Sequence, residues 1–448
     1  MQQPVKMAGF SDLPDELVLM IVTPFLEARN KATVTKASFW RFRRPLSRSE
    51  FYQDEDESRK VILNLSTTCR GMRRLLGGYV NEFIHLDCSC LRTMRLLRAV
   101  SGNPAAFRST TKYHVQIVVS DELAWKRAFN DPKTLLYTRK SAIDAGLGDE
   151  FDRIYPSRSH GAPFYSRKVH FLLLLILRLL VNVQSITLPE YLLDSLRIMD
   201  LNKLNFELDS LRGIDLILHD GTEALGTEGR VNAIPARIRH KINDLHVHLF
   251  HDSHGFDSNV LLFPMLKTLS VKSVSGSDGC YPSLKRALAG LEHLETFACD
   301  EYLRYMSSAK PDEIVRMLAK HNSKTLTKLI LADLAATDDE AKMRLSFRGL
   351  PNLTDLYLDM DTLIGAMGEL EFGLWAHKPQ GTRHDDQLHS FRRLHVSRPV
   401  GWRVEGKLRW LEQTVAAGSF PCLRELTVDS FDGLKPNRAD VMRAGVVV

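Results

Sequence analysis

Leu266-Lys267-Thr268-Leu269-Ser270-Val271 reads as an aliphatic, two variable residues, an aliphatic, one variable residue and an aliphatic. The same phrase recurs at Val183–Leu188, Leu211–Leu216, Ile242–Val247, Leu294–Cys299, Leu326–Leu331, Leu353–Leu358, Phe391–Val396 and Leu423–Val428. Successive copies start roughly 30 residues apart, a period that belongs to stacked structural repeats. The last four residues of each phrase alternate aliphatic and variable, the period of a half-buried strand. One such strand cannot bury its aliphatic side alone, so the copies must lie side by side. The stretches between them carry the chain back. Three of these returns read as helices, at 168–180, 283–290 and 311–321. Several copies follow a proline turn (Phe263-Pro264, Leu350-Pro351, Phe420-Pro421), and the long interval around 361–390 reads as an inserted loop.

This array resembles the leucine-rich repeat family in an irregular form, without the asparagine ladder of its tidier members, over about 60% of the chain. The resemblance implies a solenoid whose variable strand positions line up on a concave face. One such position per copy gives Thr187, Asp215, His246, Ser270, Ala298, Ile330, Tyr357, His395 and Thr427. The next gives Ile217, His248, Lys272, Asp300, Ala332, Asp359, Ser397 and Asp429. A mixed surface with aromatics and both signs of charge suits a protein partner. The candidates for holding a protein target are therefore Asp215, His246, His248, Lys272, Asp300, Tyr357, Asp359 and His395.

Toward the other end, residues 10–26 read Phe-Ser-Asp-Leu-Pro-Asp-Glu-Leu-Val-Leu-Met-Ile-Val-Thr-Pro-Phe-Leu. Pro14 suits a first helical turn, where its missing N–H costs nothing. Asp15 and Glu16 follow at the end where the helix dipole favours negative charge. Leu17, Val18, Ile21, Val22, Phe25 and Leu26 recur at helical spacing behind Leu13, while Pro24 kinks or stops the helix early. Downstream, residues 61–75 read Val-Ile-Leu-Asn-Leu-Ser-Thr-Thr-Cys-Arg-Gly-Met-Arg-Arg-Leu, and Phe83-Ile-His-Leu-Asp87 looks like a strand.

The two stretches resemble the halves of an F-box, which opens on Leu-Pro-x-Glu-Leu and ends its second helix near a Cys-Arg pair. Here residues 27–59 form an insertion, rich in arginine (Arg41, Arg43, Arg44, Arg48) and closed by the acidic run Asp54–Glu57. The resemblance implies docking on a Skp-type adaptor through Leu13, Pro14, Glu16, Leu17, Ile21, Val22, Leu26, Leu65 and Cys69. Through that adaptor it implies cullin and RING subunits. The expected fold is thus α/β: a small helical F-box followed by an irregular leucine-rich-repeat solenoid. The expected domains are 10–80 (F-box-like, with the inserted loop at about 27–59), 81–182 (a connecting region with early distorted repeats) and 183–440 (the repeat domain). Within the connection, Tyr113–Val119 looks like a strand and 138–168 like an extended loop.

Composition sets the remaining expectations. The chain has 448 residues, 44% hydrophobic and 25% charged, with a formal charge of +6, all ordinary for a globular protein. No basic stripe with interleaved aromatics appears, so no nucleic-acid partner is expected. Six cysteines are scattered without a CxxC pair and no secretory leader is evident, so a cytoplasmic or nuclear setting is expected. The apolar run Phe171–Leu180 is too short to span a bilayer and carries Arg178, which reads as a buried helix and leaves no membrane expected.

Catalysis finds no support. There is no P-loop, GxSxG, dinucleotide or kinase signature. His246, His248, His251 and His254, with Asp252 and Asp257 nearby, could be read as metal ligands. Strand alternation accounts for His246 and His248 without a metal, and no HExxH-type motif accompanies them. No catalytic residue, metal or cofactor is therefore expected. The expected role is that of a substrate-recognition subunit of a cullin–RING ubiquitin ligase. The alternative is a repeat scaffold with no ligase role, in which the N-terminal helices cap the array. Leu13, Leu17 and Ile21 discriminate the two: exposed in the isolated chain in the first case, buried against 83–120 in the second.

Overall fold

The computed structural model describes residues 61–68, 70–86, 89–115, 122–155, 162–189, 208–218, 234–249, 260–273, 280–301, 311–332, 350–359, 391–397 and 422–428. A few single residues outside these ranges are also described, among them Met20, Thr23 and Phe347. The protein is mixed α/β. Its strands are β1 (Phe83–Leu86), β2 (Lys112–Val115), β3 (Ser185–Pro189), β4 (Gly213–Leu218), β5 (Asp244–Leu249) and β6 (Thr268–Ser273). They continue as β7 (Thr296–Glu301), β8 (Lys328–Ala332), β9 (Asp355–Asp359), β10 (Arg393–Ser397) and β11 (Glu425–Val428). They follow one another in the sheet as they do in the chain, and every pairing whose register is described is parallel.

Parallel neighbours need a crossover between them. Helices supply several: α2 (Cys90–Gly102) after β1; α3 (Glu122–Asn130), α4 (Pro132–Asp144), α5 (Gly148–Ile154) and α6 (Ala162–Leu179) after β2. Later come the single turn α7 (Ala236–Arg239), α8 (Cys280–Gly290) and α9 (Pro311–Asn322). Ahead of β1, residues 61–68 are helical and α1 spans Arg70–Val80. Contacts divide the chain into two units: Met1–Asp215 with Ala233–Lys241, and Leu216–Asn232 with Ile242–Val448.

In the first unit, Ile62, Met72 and Leu76 form a buried cluster with Leu65, Leu75 and Tyr79 packed against it. Helix α4 shows how local sequence sets an element's ends. Pro132 opens it, and the Asp131 carboxylate accepts from the Thr134 amide at 3.0 Å and its hydroxyl at 2.6 Å. Those two bonds hold the Asp131 carboxyl below its usual range. At the far end Gly146 takes φ +74, so that its amide reaches Ile143 O and the Leu147 amide reaches Ala142 O. That is a Schellman closure, which demands a left-handed residue. Of residues 138–168, expected to form an extended loop, 138–144 thus lie in α4, 148–154 are α5 and 162–168 lie in α6. Helix α6 is buried along Val169–Leu177, as its apolar run requires. Phe171 joins Trp125, Phe129, Phe151 and Tyr155 in an aromatic cluster, with the last two stacked at 4.1 Å. Among the described residues no helix is long and apolar enough to cross a membrane.

In the second unit the aliphatics of the recurring phrase form ladders across the strands. Leu245, Leu269, Phe297, Leu329, Leu356, Leu394 and Leu426 are in register and buried. Across both units, every aliphatic position of the nine phrases is buried except Val428. Each buried side chain of this size contributes about 1.5–3 kcal/mol.

A backbone device accompanies each step. Two successive amides donate to one carbonyl of the preceding repeat: Lys267 and Thr268 to Asn243, Glu295 and Thr296 to Lys267, Thr327 and Lys328 to Glu295. The pattern continues through Thr327, Thr354 and Arg392 as acceptors. The first unit uses the same device at Glu82, Thr111 and Gln184.

Candidate functional site

On a strand, successive side chains point to opposite faces, so the residues between the buried aliphatics form rows on the other face. The registers place His246, Ser270, Ala298, Ile330, Tyr357, His395 and Thr427 opposite one another, strand by strand. His248, Lys272, Asp300 and Ala332 follow in a second row, with Asp359 facing Ser397. The structure therefore brings His246, Tyr357 and His395 into one row, and His248, Lys272 and Asp300 into the next.

The first row is not uniformly exposed. Ser270, Ala298 and Ile330 are buried: strands about 4.8 Å apart leave the small Ser270 and Ala298 in the shadow of their neighbours, and the apolar Ile330 lies in register between Ala298 and Tyr357. In the first unit, Thr187 and Asp215 are buried as well. The Thr187 hydroxyl donates to Asp215 Oδ2 at 3.3 Å, so Asp215 is not presented at the surface. His246, Tyr357 and His395 are half-buried and Thr427 is exposed.

Around Tyr357 the site acquires definite chemistry. Its ring stacks on the His395 imidazole, with centroids 5.2 Å apart and planes 20° from parallel. The Lys328 ammonium lies 4.9 Å from the Tyr357 centroid, a cation–π distance. Arg393 Nε pairs with Asp355 Oδ1, and Asp355 Oδ2 accepts from the Thr354 hydroxyl at 2.7 Å. Burial, with the Asp355 charge as a smaller contribution, raises the Tyr357 phenol. Burial also lowers the Lys328 ammonium against the opposing pull of Asp355. The bond to Asp355 raises the Arg393 guanidinium.

Lys328, Asp355 and Arg393 were not among the sequence candidates. They occupy the second variable position of their phrases and share a row that runs Asp244, Thr268, Thr296, Lys328, Asp355, Arg393, Glu425. Extending the two-residue alternation one step toward the N-terminus of each strand would have found them. Asn322 also went unnoticed. It is buried at the end of α9, and its Oδ1 accepts from the Leu294 amide at 3.1 Å.

Leu13, Pro14, Glu16, Leu17, Ile21, Val22, Leu26 and Cys69 lie outside the described residues, as do His251, Asp252, His254 and Asp257. Met20 and Thr23 are helical, and Met20 is exposed. Leu65 is half-buried against the Ile62–Met72–Leu76 cluster. Among the described residues no group of three or more His, Cys, Asp or Glu could hold a metal ion. No protein-family model matches the chain, and no curated protein matches its sequence.

Proposed function

We propose that the chain is the substrate-recognition subunit of a cullin–RING ubiquitin ligase. In this reading the finer architecture is a small helical F-box followed by an irregular leucine-rich-repeat solenoid. Leu13, Pro14, Glu16, Leu17, Ile21, Val22, Leu26, Leu65 and Cys69 dock on a Skp-type adaptor, which brings in the cullin and RING subunits. The row through Tyr357 and His395, with its neighbours, holds a protein target. The chain supplies no reacting group; it raises the effective concentration of the target beside the transferred ubiquitin. The work is then done in the cytoplasm or nucleus.

The observation that carries the reading is the pairing of two features in one chain. One is the Leu13-Pro14-Asp15-Glu16-Leu17 opening with its second half at 61–75. The other is the set of in-register rows of polar and aromatic side chains on parallel strands.

Co-purification with a Skp-type adaptor tests it, comparing wild type with Leu13→Ala/Pro14→Ala/Ile21→Ala. The expected result is a stable wild-type complex that the folded triple variant loses. A wild type that binds no adaptor leaves the repeat scaffold, with residues 10–26 as its cap, as the better account.

A further inference from the structure

The strand order β8, β9, β10 places Lys328 and His395 on opposite sides of Tyr357. Lys328 therefore lies over one face of the ring and His395 over the other. Lys328 is also in register with Asp355, yet no ion pair joins them among the described residues. Asp355 is instead paired with Arg393 on its far side and bonded by Thr354. Arg393 in turn has Glu425 in register beyond it. On the β7 side the register neighbour of Lys328 is the uncharged Thr296. The row thus reads neutral, cation, anion, cation, anion, and among the described residues Lys328 is its cation without an ion pair. An ammonium carries three donors, and an aromatic face satisfies few of them. Burial already holds this lysine below its usual range, outweighing the opposing pull of the Asp355 charge.

We propose that Lys328 is an anion-receiving subsite of the target-binding face: an acidic group on an extended target segment accepts from Lys328 Nζ beside the Tyr357–His395 stack. This rests on the reading of that face as the target-binding surface. The occupant is a protein segment bearing a carboxylate or a phosphoryl group at this point. Its backbone runs along the face, and its anion replaces the water that Lys328 gives up. A charge-assisted bond in a partly dry setting is among the stronger contacts available to such a surface.

Immobilised peptide pools test this, each with degenerate flanks and one fixed central residue: Glu, phosphoserine, Gln or Ser. The full chain is applied at low and high salt. The expected result is about tenfold greater retention on an anionic pool than on its neutral counterpart, weakening with salt. Lys328→Met removes the preference and Lys328→Arg keeps it. Thr296→Glu, which gives Lys328 a carboxylate neighbour from β7, suppresses the preference without deleting the lysine, so a Lys328→Met chain that fails to fold does not end the test. Preference for phosphoserine over Glu identifies a phosphorylated target; equal retention identifies a plain acidic one. Equal retention of anionic and neutral pools, or a preference that survives in folded Lys328→Met, overturns the subsite and leaves the target-binding reading standing. Retention of no pool by wild type overturns that reading together with the subsite.

Discussion

Helix α6 of the first unit buries nine consecutive residues, Val169 to Leu177, whereas helices α8 and α9 of the second unit bury one stripe each. In α9 the stripe is Ile314, Val315, Leu318 and Asn322, at helical spacing. The second unit places most of its apolar weight in strand ladders instead, one leucine-sized side chain per strand and level. The first unit concentrates its burial in a single helix and the aromatic cluster around it. A concentrated core stakes much of its stability on a few large side chains, whereas a laddered one divides it among many similar rungs.

The largest expected effect follows from that concentration. Phe171 is 1% exposed and meets Phe151 and Tyr155 edge-on at 6.1 and 5.9 Å. Phe171→Ala removes the ring and leaves a cavity, at a cost of about 3–5 kcal/mol. Denaturant titration checks it. A loss below about 1 kcal/mol would mean that the cluster collapses around the gap and that the first unit is no more concentrated than the second.

His170 tests the same core by pH. It is 5% exposed, and burial lowers its pKa from 6.5 to about 4. A histidine depressed in the folded state contributes stability that is fully present above pH 6.5 and lost as the pH falls through about 4, because only the unfolded chain takes up the proton. The acid-dependent loss is on the order of 3 kcal/mol. His170→Leu should flatten the stability curve over that window relative to wild type, and the difference between the two titrations isolates this residue from the carboxylates. Superimposable curves would show that His170 takes up its proton equally readily in the folded and the unfolded chain.

The second unit was the more legible in sequence because one physical demand is repeated there. Each strand must bury alternate residues, and the phrase from Leu266 to Val271 states that demand in full. The first unit applies the same paired-amide step at Glu82, Thr111 and Gln184, but β2 and β3 are separated by four helices, which hide the period. Residues 138–168 read as a loop because Gly146, Gly148 and the polar residues around them suggest one, whereas Gly146 ends one helix and Gly148 begins the next. The Lys328–Tyr357–His395 arrangement needs three residues from three strands, and no local pattern marks it. Only the register shows that the second variable position of one phrase reaches the third variable position of the next.

Asn322 carries the comparison to a single hydrogen bond. Its Oδ1 satisfies the Leu294 amide across a sequence separation of 28 residues, while its backbone carbonyl accepts from Thr325 and Leu326. Asn322→Ala leaves a buried amide without its acceptor and should cost about 1–3 kcal/mol. That is less than the loss of Phe171, in keeping with a unit whose stability is spread over many rungs. Amide exchange at Leu294 reads the change directly. Unaltered protection there would show that another acceptor takes over.

The smallest effect belongs to the exposed edge of the same ladder. Lys267 Nζ lies 2.7 Å from Glu295 Oε1, with both side chains about half-exposed. The bond to Glu295 raises the Lys267 ammonium, so any stability it confers is present below the usual lysine range and disappears as the pH climbs through the raised value. Water and salt screen a pair in this position, and two long side chains lose freedom to form it. The backbone carbonyls of the same two residues each accept two amides from the next repeat, and Glu295→Gln leaves those bonds untouched. The thermal midpoint of Glu295→Gln should therefore match wild type at neutral pH and at high salt. A clear drop confined to low salt would show that side-chain charge, and not only the backbone and the buried aliphatics, holds successive repeats in register.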